Sequence, residues 1–169
     1  MDYNIEVEHM IEKIRTLSGS YGTAPYTVTV IPFSRDIQQR FKQIGLEISA
    51  DYLLIAIFVW TDYSAQDMKD FVCLSAEFIS LPEEEQQVFL TERLSVFKNP
   101  ADKNRWIEKQ VSLAIGIINY VGFNNHLEVV QVPDFMIEDF ASVVPAGPDL
   151  KLYSLAFFKR HRKGQRDSG

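Results

Sequence analysis

Cysteine is almost missing from this sequence. The 169 residues hold a single one, Cys73, which excludes a disulfide framework and any zinc site built on cysteine. Histidine is nearly as scarce: His9, His126 and His161 stand far apart, so no local cluster suggests a metal. Long apolar runs are lacking too. The longest, Tyr52 to Trp60, has nine residues, too few to cross a bilayer as a helix. The opening residues MDYNIEVE are acidic, without the basic start and apolar stretch of a signal peptide. The expectation is a cytoplasmic protein with no membrane role. Repeats and low-complexity tracts do not occur, and neither do the phosphate loop, the dinucleotide fingerprint, the HExxH zinc motif or the Gly-x-Ser-x-Gly elbow.

What remains is an ordinary globular composition, with 46% hydrophobic and 24% charged residues. The chain is long enough to bury one real core. The net charge of −6 is unevenly spread. Residues 159–169 carry five Lys/Arg and one Asp, a local +4, which leaves −10 on residues 1–158. We read 1–158 as one domain and 159–169 as a basic tail. An acidic body is a poor counterion for nucleic acid, whose binding rests on neutralised phosphates. No nucleic-acid partner is expected.

Apolar spacing predicts a helix over Ile5 to Leu17, with Val7, Met10, Ile11 and Ile14 on one face. Turn formers from Ser18 to Pro25 end it. YTVTVI, Tyr26 to Ile31, alternates like a strand, and Ser34 caps a short helix ending near Gly45. Tyr52 to Trp60 is apolar on both faces, as a central strand covered on each side would be. Ser64 and Asp67 form a capping box for a helix through Ile79. Pro82 opens a peripheral acidic helix to about Phe97, its Glu83-Glu84-Glu85 favoured by the helix dipole. Asn99 and Pro100 start the longest helix, Ala101 to Val121, with Gly122 as its stop. A short helix over Pro133 to Phe140 and a last strand over Leu150 to Phe158 follow. Helices interleaved with few strands indicate α/β or α+β.

Few residues carry chemistry. Cys73 sits among Phe71, Val72 and Leu74 as a small core residue, and His126 follows Asn124-Asn125 as a turn residue. Two features stand out. The loop Ser18, Gly19, Ser20, Tyr21, Gly22 offers hydroxyls and backbone N–H groups to an anion or a polar ring edge, or is a connecting turn. Lys163 and Arg166, three apart in the tail, are a possible phosphate clamp, or part of a solvated terminus. No metal site and no catalytic acid or base is assigned.

Leu17-Ser-Gly-Ser-Tyr-Gly-Thr-Ala-Pro-Tyr26, followed by TVTVI, resembles the Ser-Tyr-Gly-x-x-Pro-aromatic stretch of the nitroreductase family. Trp106-Ile-Glu-Lys-Gln-Val-Ser-Leu-Ala-Ile-Gly116 resembles the start of that family's long central helix. Gly122-Phe123, the Phe135 region and the last strand follow in the same order, so the similarity spans roughly residues 10–166. The resemblance implies an α+β fold with an antiparallel central sheet flanked by helices and the long helix at a homodimer interface. It implies FMN as cofactor, and electron transfer from NAD(P)H to a nitro or quinone-type acceptor. It places Ser18, Gly19, Ser20 and Gly22 in the loop lining the flavin, and Lys163 and Arg166 at the FMN phosphate.

Three family features are altered. Met1 to Leu17 has only Lys13 and Arg15 as basic residues, where the family has an Arg-rich phosphate-binding element. An Asn- and Gln-rich segment that in the family precedes the second strand is deleted, with Ile44–Ser49 running almost directly into Tyr52. Aligning on Phe135 puts Pro133 and Asp134 at the Glu and Gly of the family's Pro-x-Glu-Gly-Phe, and proline has no N–H to give the flavin. Charge-assisted hydrogen bonds contribute roughly 1.5–3 kcal/mol each. Losing two or three would move a nanomolar site to the micromolar range, at about 1.4 kcal/mol per tenfold. The expectation is a weakened FMN site; the alternative is a cofactor-free relative serving as a binding, regulatory or scaffold module.

Overall fold

The computed structural model describes residues 24–31, 33–49 and 52–160, together with His9, Glu12 and Lys13, which are helical. The rest of the helix expected over Ile5 to Leu17 lies outside the described residues. Four strands, β1 (Tyr26–Ile31), β2 (Tyr52–Trp60), β3 (Leu127–Gln131) and β4 (Leu150–Arg160), form one sheet in the order β1-β2-β4-β3. Every neighbouring pair is antiparallel. Helices flank the sheet, so the α+β architecture is the one expected.

β2 has no polar face, and both of its faces are covered. Leu53, Ile55 and Ile57 meet the long helix α5 (Pro100–Asn124) through Ile107, Val111, Ala114, Ile118 and Val121. Leu54, Ala56 and Phe58 point the other way, into a core with Ile37 and Phe41 of α1 (Arg35–Gln43) and Ile137 and Phe140 of α6 (Ile137–Ala141). Burying each large side chain contributes roughly 1.5–3 kcal/mol. Between β2 and α5 the chain leaves the sheet as α2 (Ala65–Cys73), α3 (Ala76–Ser80) and α4 (Glu83–Leu94). This excursion has its own small core of Tyr63, Met68, Val72 and Leu90.

The expected caps are in place. Ser34 accepts from the N–H of Ile37, Ser64 and Asp67 close a capping box, and Asn99 accepts from the N–H of Ala101 with Pro100 first in the helix. Gly45, at φ +79°, takes the left-handed conformation after α1.

Three expectations are corrected. The single helix through Ile79 is two, because Ser75 leaves the helical path and caps α3, its hydroxyl oxygen accepting from the N–H of Phe78. Gly122 does not stop α5, which runs on to Asn124 and ends before His126, a residue at φ +54°. Gly122 serves packing instead: a Cβ there would collide with Cγ2 of Val129 and lie 3.2 Å from Phe158. Finally, β3 was not expected, since five residues of weak alternation give little periodic signal. Cys73 is half-buried against the small core of the excursion.

Candidate functional site

α5 carries three rows of side chains at helical spacing. Its buried row faces the sheet, as above. The opposite row, Lys109, Leu113, Gly116, Tyr120 and Phe123, is exposed, with Phe123 at 78%. Nothing lies within 4 Å of a Cβ built on Gly116. A third row, Glu108, Ser112, Ile115 and Asn119, runs along the flank nearer β3 and β4.

That flank meets an irregularity in the sheet. Ile57 pairs with Ser154 and Phe58 with Leu152, so Tyr153 is an extra residue in β4. Such a bulge re-aims side chains. Ser154 is 7% exposed, the one buried polar side chain among the described residues. Its hydroxyl donates to Gln131 Oε1 at 3.3 Å, and Gln131 Nε2 donates to Asn119 Oδ1 at 3.0 Å. The hydrogen bonds thus join β4, β3 and α5. The Tyr153 hydroxyl is held above the usual phenol range by burial, then by the charges of Glu108 and Asp134. Both carboxylates are therefore close enough to act on it. Asp134 and Phe135 begin the turn Asp134–Met136 after β3, where a helical turn offers their N–H groups no internal partner. Phe135 is 85% exposed.

The result is a polar patch bounded by α5, the end of β3, the Pro133–Phe135 turn and the bulge of β4. It offers amide, phenol and backbone N–H donors beside two carboxylates. No group of three or more His, Cys, Asp or Glu side chains able to hold a metal occurs among the described residues.

Of the residues singled out in the sequence, Ser18, Gly19, Ser20, Gly22, Lys163 and Arg166 lie outside the described residues. The Pro133–Phe135 turn is described, and it borders the patch. Asn119, Gln131, Tyr153 and Ser154 were not singled out. The available signal was slight: a tyrosine and a serine inside the apolar strand LKLYSLAFF, and a glutamine at the end of an unnoticed strand.

No family model and no curated protein matches the sequence. Solved structures do. A Bacillus subtilis protein described as a nitroreductase, ydfN, superposes with a TM-score of 0.64 over 100% of this chain and 83% of its own, at 11% identity. The fold is that of the nitroreductases. A Staphylococcus epidermidis protein described as an NAD(P)H:FMN oxidoreductase matches with a TM-score of 0.59 at 16% identity, over 94% of this chain and 78% of its own. An Exiguobacterium sibiricum protein described as a nitroreductase, solved in complex with FMN, matches with a TM-score of 0.59 at 14% identity, over 95% of this chain and 78% of its own. The nitroreductase fold thus accounts for nearly the whole chain, the helical excursion included.

The described residues can be tested against a flavin by their chemistry. The patch suits a neutral polar ring edge, with N–H donors at Asp134 and Phe135 and a neutral phenol at Tyr153. The carboxylates of Glu108 and Asp134 beside Tyr153 oppose a phosphate at that point. Phosphate partners are to be sought in the loop and the tail.

Proposed function

We propose that this protein is a nitroreductase-like flavoprotein, an FMN-dependent oxidoreductase taking electrons from NAD(P)H to a nitro or quinone-type acceptor, with a weakened FMN site. The observation that carries this reading is the correspondence of nearly the whole chain with nitroreductase structures, one of them an FMN complex. Bound FMN would supply the redox chemistry, as cofactors do. The chain's part is to bind and orient. The N–H groups of Asp134 and Phe135 and the hydroxyl of Tyr153 would donate to the ring edge. By the family resemblance, Ser18, Gly19, Ser20 and Gly22 would line it, and Lys163 and Arg166 would take the phosphate.

The same reading makes the protein a homodimer. The outward row of α5, with Leu113, Tyr120 and Phe123 exposed around Gly116, is an apolar face of the kind that a self-complementary interface covers. A twin helix seated there would bury it.

Pro133 favours a second reading. It stands where a backbone donor is wanted and has none, which suits a cofactor-free relative acting as a binding, regulatory or scaffold module. A titration of the purified protein with FMN at equilibrium, followed through the flavin absorbance bands, decides between them. A saturable shift of the bands with a midpoint in the micromolar range is expected. No shift at any FMN concentration would overturn the first reading and favour the second.

A further inference from the structure

The face of the sheet under α5 is apolar except at one place. On that face β3 presents Leu127 and Val129, β4 presents Ala156 and Phe158, and α5 brings Ile115 and Ile118. Gln131, Ser154 and Asn119 interrupt all three elements at the same point and bond only in a chain. Apolar residues there would have extended the core. A half-buried polar chain is favourable only when its members are satisfied, and local departures of this kind mark functional positions.

The direction of the chain says what it achieves. Ser154 donates to Oε1 of Gln131 at 3.3 Å. Gln131 then donates to Asn119 Oδ1. Gln131 holds the asparagine amide through its Oδ1. Its Nδ2 group makes no hydrogen bond among the described residues, and its Oδ1 keeps one lone pair. Asn119 therefore presents an N–H donor beside a C=O acceptor at the border of the patch.

We infer that Asn119, held by Gln131 and Ser154, recognises the amide edge of a planar heterocycle, pairing its N–H and C=O with a ligand C=O and N–H. Such an edge occurs in the imide of a flavin ring and in the carboxamide of a nicotinamide. The flavin case rests on the flavoprotein reading and deepens it; the nicotinamide case does not need it.

Asn119→Asp tests the inference. It keeps the acceptor for Gln131 and removes the donor, so the chain and the fold persist; an unchanged thermal midpoint verifies this. Wild type and variant are titrated calorimetrically with riboflavin, which has the ring and no phosphate, and with nicotinamide mononucleotide. The variant is expected to bind riboflavin at least about tenfold more weakly, the loss of one good hydrogen bond. If only nicotinamide mononucleotide weakens, the amide edge is that of the nicotinamide and the inference stands. Equal binding of both ligands by the two proteins overturns it, as does a wild type that binds neither. A wild type that keeps FMN while Asn119→Asp changes nothing overturns this inference alone. A wild type that binds no FMN, yet binds nicotinamide mononucleotide through Asn119, overturns the flavoprotein reading alone.

Discussion

Two glycines of α5 have opposite meanings, and the difference lies in their surroundings. Gly122 lets the helix approach β3 and β4 closely, with Val129 and Phe158 against it. Gly116 has open space where a side chain would be. Gly122→Ala should therefore destabilise the protein by about 1–3 kcal/mol through overpacking. Gly116→Ala should stabilise the isolated fold by up to about 1 kcal/mol, the helix propensity difference. Denaturant unfolding of the two variants checks the pair, and a neutral Gly122→Ala would contradict the described approach of helix to sheet. From sequence both were plain glycines in an apolar helix, and Gly122 reads as a terminator. Only the position of β3 reveals what it does. Asn119 was hidden for the same reason: its role depends on Gln131 and Ser154, which reach it from two other elements.

The helical excursion between β2 and α5 is fastened by aromatic contacts. Tyr63 stacks on Trp106 of α5, with ring centroids 6.0 Å apart, while Phe97 and Phe71 meet the same indole. Lys103 of α5 donates to the carbonyl of Tyr63 and lies over the ring of Phe97. Burial, helped by Asp67 and Asp70, pushes the Tyr63 hydroxyl well above the usual phenol range. In the folded state it stays neutral while the unfolded chain ionises near about pH 10. Its contribution is thus full below that pH and is lost as pH rises above it. Thermal midpoints measured from neutral to alkaline pH should fall above about pH 10, and Tyr63→Phe should flatten that fall. An equal fall in the variant would place the cause elsewhere. Elements with strong local signals were legible in the sequence: the caps at Ser34, Ser64 and Asn99, and a strand as apolar as β2. β3 and the break at Ser75 were not, because five weakly alternating residues and one serine carry less signal than tertiary packing supplies.

Seen whole, the molecule has one long helix with a face to spare. Tyr120→Lys places a charge in the exposed row of α5 and touches none of its own core. Sedimentation should find wild type as a dimer and Tyr120→Lys as a folded monomer; a monomeric wild type would remove the proposed twin. The strand order has an effect of another kind. β4 is the last strand among the described residues but lies in the middle of the sheet, where Tyr52 pairs with Lys159. During synthesis β1 and β2 can pair as soon as they emerge, yet the far edge of β2, the most apolar strand, waits for β4. Pairings so distant in sequence form slowly, and an open apolar edge invites other chains. The nascent protein is therefore exposed to aggregation until β4 has left the ribosome, and removing that strand would leave β2 and β3 without the neighbour they share.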